Sequence, residues 1–187
     1  MKDITIDIDE WRLNCRAAGI VIHNNKVLVH HNTKATYYAL VGGRVKLGEP
    51  SSETVVREFK EELGKDIEII GYISTIENFF ELNGKKYHEI LFIHQVEFIN
   101  DDDKKIETTI KNIEGNGEKN IQYEWINLDE IDNSPIRPEG IKPILKRRAF
   151  PIHTINNDIG NINSLANKFE LEHKVYYNDV EWKEIIE

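Results

Sequence analysis

Residues 43–64 read GRVKLGEPSSETVVREFKEELG and constrain the fold more than any other stretch of the chain. Gly42 and Gly43 let the backbone turn sharply and expose carbonyl oxygens. Pro50 to Leu63 reads as a helix, with Ser51 or Ser52 as its cap and Gly64 at the position where a glycine stops a helix. At about 100° per residue, Glu58, Glu61 and Glu62 share one arc of that helix. Val55, Val56, Phe59 and Leu63 share another, which should face the core. Three carboxylates on one stripe repel each other, and a cation is what lets such a cluster persist. A hard divalent cation held by oxygen ligands points to phosphate chemistry. Read alone, EFKEE is an ordinary solvated helix face. The glycines upstream and the fixed spacing argue against that reading. Arg57 lies one turn before Glu61 and is placed to reach back to Glu49 in the preceding loop.

The rest of the chain limits what such a site can serve. The 187 residues suit one domain with an appendage, and 40% hydrophobic with 30% charged residues is an ordinary globular composition. The net charge is −9, from 24 basic and 33 acidic residues, which leaves no basic excess to neutralise a nucleic-acid backbone. A phosphorylated small molecule remains compatible if metal ions screen the contact. With Cys15 alone, no intrachain disulfide forms, as expected in a reducing compartment. The start MKDITIDIDE has neither the basic head nor the apolar stretch of a secretion signal, and Ala17 to Ile22 is too short to span a bilayer. The expected location is the cytoplasm.

Along the chain, Ile4 to Ile8 alternates like an edge strand. Arg16 to Ile22 and Lys26 to His30 flank Asn24-Asn25 and predict a hairpin. Tyr37 to Val41 is a short strand ending at Gly42-Gly43. Asp66 to Phe79 and Lys86 to Phe98 predict two longer strands around an Asn83-Gly84 turn. Asn100 to Asn120 reads as a loop or ragged hairpin, and Ile121 to Asn127 as another strand. Leu128 to Ile131 and Ile136 to Leu145 predict short helices broken by Pro135, Pro138 and Pro143. Phe150 to Ile155 is a candidate last strand. Ile162, Leu165 and Phe169 have helical spacing, and Asp179 is a candidate cap for a final short helix.

The box also resembles a known family. Gly43, Glu49, Arg57, Glu58, Glu61, Glu62 and Gly64 match all seven fixed positions of the Nudix box, G-x5-E-x7-R-E-U-x-E-E-x-G-U, where U is bulky and aliphatic. Departures are Phe59 and Lys65 at the two U positions and Val41 where many relatives have proline, and none of them removes a carboxylate. The resemblance to the Nudix (MutT-like) hydrolases covers roughly residues 10 to 145. It implies an α/β/α sandwich around a mixed β-sheet, with a Nudix hydrolase domain over residues 1–150 and a C-terminal extension over 151–187. It also implies Mg2+-dependent hydrolysis of the pyrophosphate linkage of a nucleoside diphosphate derivative, by metal-activated water attacking phosphorus, with Mn2+ as a substitute ion. The alternative is a Nudix-type module that binds a nucleotide without cleaving it.

By that resemblance, Glu58, Glu61 and Glu62 with the Gly43 carbonyl are the expected metal ligands. Glu58 or Glu61 is the expected general base, with Glu107, Glu114 and Glu118 in the later loop as further candidates. Arg57 is expected to orient, and Glu49 to anchor the loop with an outer role toward the metal. Arg44 and Lys46 of the loop, and Arg16 at the entry of the first long strand, are candidate phosphate contacts, and Glu49 is a candidate substrate-binding residue. Tyr37, Tyr38, Phe79 and Phe80 are candidate stacking partners for a base. His88 and Glu89 are neighbours on a strand, so one of the two faces the cleft; His88 is a candidate substrate contact. The expected partner is a small nucleotide derivative and neither membrane nor nucleic acid, with a homodimer open.

Overall fold

The computed structural model describes residues 1–32, 35–105, 109–112, 120–146, 153–158 and 174–176. The strands are β1 (Thr5–Ile8), β2 (Trp11–Ile20), β3 (Ile22–His23), β4 (Lys26–Asn32), β5 (Ala39–Arg44), β6 (Ile67–Leu82), β7 (Lys85–Phe98), β8 (Thr109–Asn112), β9 (Asn120–Asn127), β10 (His153–Asp158) and β11 (Lys174–Tyr176). The helices are α1 (Ser51–Leu63) and α2 (Ile141–Leu145), with 3-10 turns at Asp101–Lys105 and Leu128–Asn133. Among the described residues the strands form one sheet in the order β11-β10-β6-β7-β2-β5-β4-β9-β8, with β1 on β2 and β3 on β4. Most neighbours are antiparallel, but β2 runs parallel to β7 and β10 parallel to β6, so the sheet is mixed.

Turn chemistry sets the two hairpins. Asn24 and Asn25 both take positive φ between β3 and β4, as do Asn83 and Gly84 between β6 and β7. Both tight turns match the sequence expectation, and β6 and β7 run longer than the expected 66–79 and 86–98. The glycine pair does not end its strand. Gly42 and Gly43 lie within β5, opposite Ala18 and Ala17 of β2. Here the glycines serve close approach, since a Cβ on Gly42 would sit 2.2 Å from the Ala17 carbonyl oxygen.

Strand alternation divides the core into two layers. On one face, Val55, Phe59 and Leu63 of α1 pack with Ala17, Val21, Leu28 and Val41. Gly19 belongs to this face, because a Cβ there would meet the Phe59 ring at 2.8 Å. On the other face, Ile131, Ile136 and the α2 residues Ile141, Ile144 and Leu145 pack on Ala18, Ile20, Ile76, Leu91 and Ile93. The sheet is therefore sandwiched between helical layers. Phe59 is fully buried and meets Phe98 edge-on at 6.1 Å. Phe59→Ala is expected to cost about 3–5 kcal/mol, read as a lower midpoint in urea unfolding.

Local departures from the sequence reading have physical causes. Val56 is exposed, and Thr54 takes its place in the buried stripe because its hydroxyl donates to Glu49 and to the Pro50 carbonyl. Neither Ser51 nor Ser52 caps α1. Pro50 occupies the cap with no side-chain bond, and the Ser51 hydroxyl is hydrogen-bonded with His94 Nε2 at 3.0 Å. Gly64 ends the helix in the left-handed conformation as expected. The expected Ile136–Leu145 helix shortens to α2, since Ile136 bridges Tyr38 and the Arg137 N–H bonds the Tyr38 carbonyl at 2.8 Å. The last expected strand is β10, of which residues 153–155 overlap the expected range. Glu107, Glu114 and Glu118, and the helical patterns expected at 162–169 and 179–186, lie outside the described residues.

Candidate active site

The loop before α1 is closed by one carboxylate. Glu49 accepts from Arg57 Nε at 2.7 Å and Nη2 at 3.1 Å, from the Lys46 N–H at 3.0 Å and from the Thr54 hydroxyl at 2.8 Å. The Arg57 hydrogen bond, above all, holds the Glu49 carboxyl down at about 2. Arg57 also donates to the Arg44 carbonyl at 3.1 Å, so the guanidinium ties the loop to β5 and to α1 at once. A carboxyl depressed in the fold stabilises it above the unfolded value of 4.5, and that stabilisation is lost as pH falls toward 2. Glu49→Gln is expected to lower stability at pH 7 and to flatten its decline between pH 4.5 and pH 2, measured by urea unfolding across pH.

Arg57 then reaches the acidic stripe. Its Nη1 donates to Glu58 Oε1 at 2.6 Å and to Glu61 Oε2 at 3.0 Å. Glu58 lies against β5, and a Cβ on Gly43 would sit 2.1 Å from Glu58 Oε1. Only glycine leaves room for that carboxylate beside the strand backbone. Burial raises the Glu58 pKa against the pull of Arg57. Glu62 points to the other flank, where His30 Nδ1 stands 3.7 Å away and the Tyr123 hydroxyl donates at 3.4 Å. Burial first, and the Glu58 charge second, push Glu62 up to about 8. Burial, with Arg16 and His31, pushes His30 down to about 4, so at neutral pH it is uncharged and does not neutralise Glu62. Burial likewise pushes the Tyr123 phenol up. Among the described residues, Glu62 is thus the member of the acidic cluster that lacks a charged partner at hydrogen-bond distance. Glu61 stays the most open of the three, its side chain 45% exposed.

A cavity opens on the sheet face opposite α1. Its wall includes Arg16, Tyr37, Asn78, Phe80, Glu89 and Arg137. Arg16 donates from Nη2 to the Gly42 carbonyl at 3.2 Å, next to the box, and its Nε lies 4.0 Å from Glu89 Oε2. Of the expected substrate contacts, the structure brings Arg16, Tyr37 and Phe80 to this cavity. It does not bring Phe79 and His88, which oppose each other in register on the other face, where Phe79 meets Trp11 edge-on and His88 bonds Glu77 at 2.9 Å. Alternation explains this: Asn78, Phe80 and Glu89 are the residues one step along, and they face the cavity. Arg44 turns outward to Asp3 at 3.4 Å. Tyr38 packs edge-on to His31. His30, Tyr123 and Asn78 escape a motif reading. Two-residue steps from Leu28 to His30 and from Asn78 to Phe80 were the available signal.

A sequence model of the NUDIX domain matches residues 13–147. The chain belongs to the Nudix family. One solved structure supports the same fold, and a second is reported beside it. The MutT protein from Bacillus halodurans aligns at 19% identity over 87% of this chain and 97% of that one, with a TM-score of 0.57. The E. coli ORF135 protein aligns at 20% identity over 72% and 86%, with a TM-score of 0.49. No curated protein matches the chain. As a Nudix pyrophosphohydrolase, the protein carries the complete box, with Glu49 and Arg57 locking the loop and Glu58, Glu61 and Glu62 on the helix. Among the described residues no group of three His, Cys, Asp or Glu side chains is drawn together tightly enough to grip an ion, since Arg57 bridges Glu58 and Glu61 and Glu62 turns toward His30. The donor set itself fits a hard cation: carboxylate oxygens, two of them desolvated and one beside the Gly43 backbone.

Proposed function

We propose that the protein hydrolyses the pyrophosphate linkage of a nucleoside diphosphate derivative with Mg2+, or Mn2+ in its place. The observation that carries this reading is the crowding of acidic groups in the box, where Glu58 and Glu62 sit half-buried on one stripe and the single guanidinium of Arg57 is shared among Glu49, Glu58 and Glu61. Glu58, Glu61, Glu62 and the Gly43 carbonyl would hold the metal. When bound, divalent ions supply charge neutralisation for the diphosphate oxygens and make water a better nucleophile.

The chain's own residues do the rest. Arg57 fixes Glu58 and Glu61 from one side and ties the loop that carries Gly43 to the helix. Glu58 or Glu61 accepts the proton of the attacking water at a carboxylate oxygen. Glu58 has the raised pKa that suits transient protonation, and Glu61 has the better solvent access. Arg16 stands between box and cavity, where its guanidinium can meet a phosphate oxygen. Tyr37 and Phe80 offer flat faces to a base, and Phe80 is already stacked on Tyr87 at 4.7 Å.

The test is a screen of nucleoside triphosphates, nucleotide sugars, dinucleoside polyphosphates and dinucleotide cofactors with Mg2+ and with Mn2+. Phosphate-containing products that vanish when the metal is omitted, or on Glu61→Gln, support the reading. A nucleotide that binds and stays intact under those conditions assigns the chain to the non-catalytic binding modules.

A further inference from the structure

Beyond the box, a row of polar side chains crosses the sheet. Asn156 of β10 stands opposite Asn78 of β6, and Asn78 stands opposite Glu89 of β7. Residues directly opposite share a face, so these side chains line up on the cavity side. All three are buried, with Asn156 at 0%, Asn78 at 6% and Glu89 at 7% exposure. Asn156 Nδ2 donates to Asn78 Oδ1 at 2.7 Å. Asn78 Nδ2 in turn donates to Glu89 Oε1 at 3.2 Å. The other oxygen of Glu89 faces Arg16 Nε at 4.0 Å, and Arg16 Nη2 donates to the Gly42 carbonyl at 3.2 Å. The row therefore runs through β10, β6, β7, β2 and β5 in their order in the sheet, and ends beside the box.

Direction matters in this chain of contacts. Glu89 is an acceptor, so Asn78 must aim its NH2 at it. That leaves the Asn78 carbonyl pointing away, and only a donor behind it can hold it there. Asn156 is that donor, and it comes from a strand beyond residues 13–147 matched by the family. We propose that Asn156 is a positioning residue. It fixes the Asn78 amide, which steadies Glu89 and thereby holds the Arg16 guanidinium at the border of cavity and box. This rests on the reading that the cavity takes the base and that Arg16, at its border, meets a phosphate other than the one attacked. Contacts of that kind act on ground state and transition state alike, so the effect falls on KM and not on kcat.

The experiment compares full-length wild type with Asn156→Ala, Asn156→Asp and the pair Asn156→Ala with Asn78→Ala, on the best substrate of the screen with Mg2+. Removing the donor is expected to raise KM about 5- to 100-fold with kcat within about threefold, the range that one unsatisfied buried partner costs. Aspartate is expected to be worse than alanine, since it cannot donate and turns the Asn78 carbonyl onto Glu89. In the Asn78→Ala background, Asn156→Ala is expected to change KM no further. A second readout uses metal-free protein: the Asn78 side-chain amide protons, slow to exchange in wild type, should lose protection in Asn156→Ala, and the Arg16 Nε–H signal should move. Unchanged KM in both single variants overturns the proposal, as does a KM change that persists without Asn78. Should the wild type cleave nothing in the screen, the functional reading fails by itself and the proposal is judged on the amide signals, where no change refutes it.

Discussion

Replacing Glu62 by glutamine should slow hydrolysis by on the order of 10²–10³-fold, the few kcal/mol that one charge-stabilising group contributes at a transition state. The same change should make the metal-free protein more stable. The two effects have one cause. Glu62 is half-buried next to Glu58, and desolvation pushes its pKa from 4.5 up to about 8. A carboxyl raised in the fold contributes stability below its unfolded value, and that contribution is lost as pH rises to the folded value. Wild-type stability without metal should therefore fall between pH 4.5 and pH 8, and Glu62→Gln should remove that part of the slope. At pH 8 the variant should exceed wild type by roughly 1–4 kcal/mol. Urea unfolding in chelator at pH 5 and pH 8, beside kcat with Mg2+, measures both. A variant that loses stability and activity together would make Glu62 a structural residue.

The second large effect separates two adjacent glycines. Gly43→Ala places a methyl where Glu58 now lies, 2.1 Å from its Oε1. The obstacle is the end of a flexible side chain, so the fold gives way cheaply there and the carboxylate moves. Activity should drop about 10²-fold or more, as for other lost charge-stabilising contacts, with little change in unfolding midpoint. Gly42→Ala instead drives its methyl into backbone, 2.2 Å from the Ala17 carbonyl oxygen and 2.6 Å from Ala18 Cα. Strand β2 cannot step aside without breaking its pairing, so a loss of about 1–3 kcal/mol or more is expected. Kinetics and thermal unfolding of the two variants, side by side, test whether Gly43 is kept for the site and Gly42 for the sheet. Equal loss of stability in both would contradict the assignment.

What the chain discloses before folding follows from how local each feature is. The box is legible because its spacing is helical and its chemistry lies within 22 contiguous residues, 43 to 64. The Asn24-Asn25 and Asn83-Gly84 turns are legible because positive φ has few tolerant residues. Phe59 at a position usually aliphatic is explained by Gly19, which leaves its ring room against β2. Val56 departs from the apolar arc because Thr54, with its hydroxyl satisfied by Glu49, takes the buried position, and that bond is invisible in residue type alone. The partners of Glu62 come from β4 and β9, and Asn156 lies 78 residues from the Asn78 it holds, so only sheet register brings them together. Strand parity puts His88 and Glu89 on opposite faces but does not say which face is which. The pairing of β6 with β7 and the Asn78–Glu89 contact put Glu89, and not His88, on the cavity side of the sheet.

The most direct measurement is phosphorus NMR of the wild-type protein with each nucleoside diphosphate derivative of the screen, run in ¹⁸O-enriched water with and without Mg2+. Splitting of one anhydride into two phosphate-bearing products, with a single ¹⁸O on one of them and only when metal is present, is the predicted outcome. A full panel left intact by active-site-titrated, folded protein at saturating Mg2+ would contradict it.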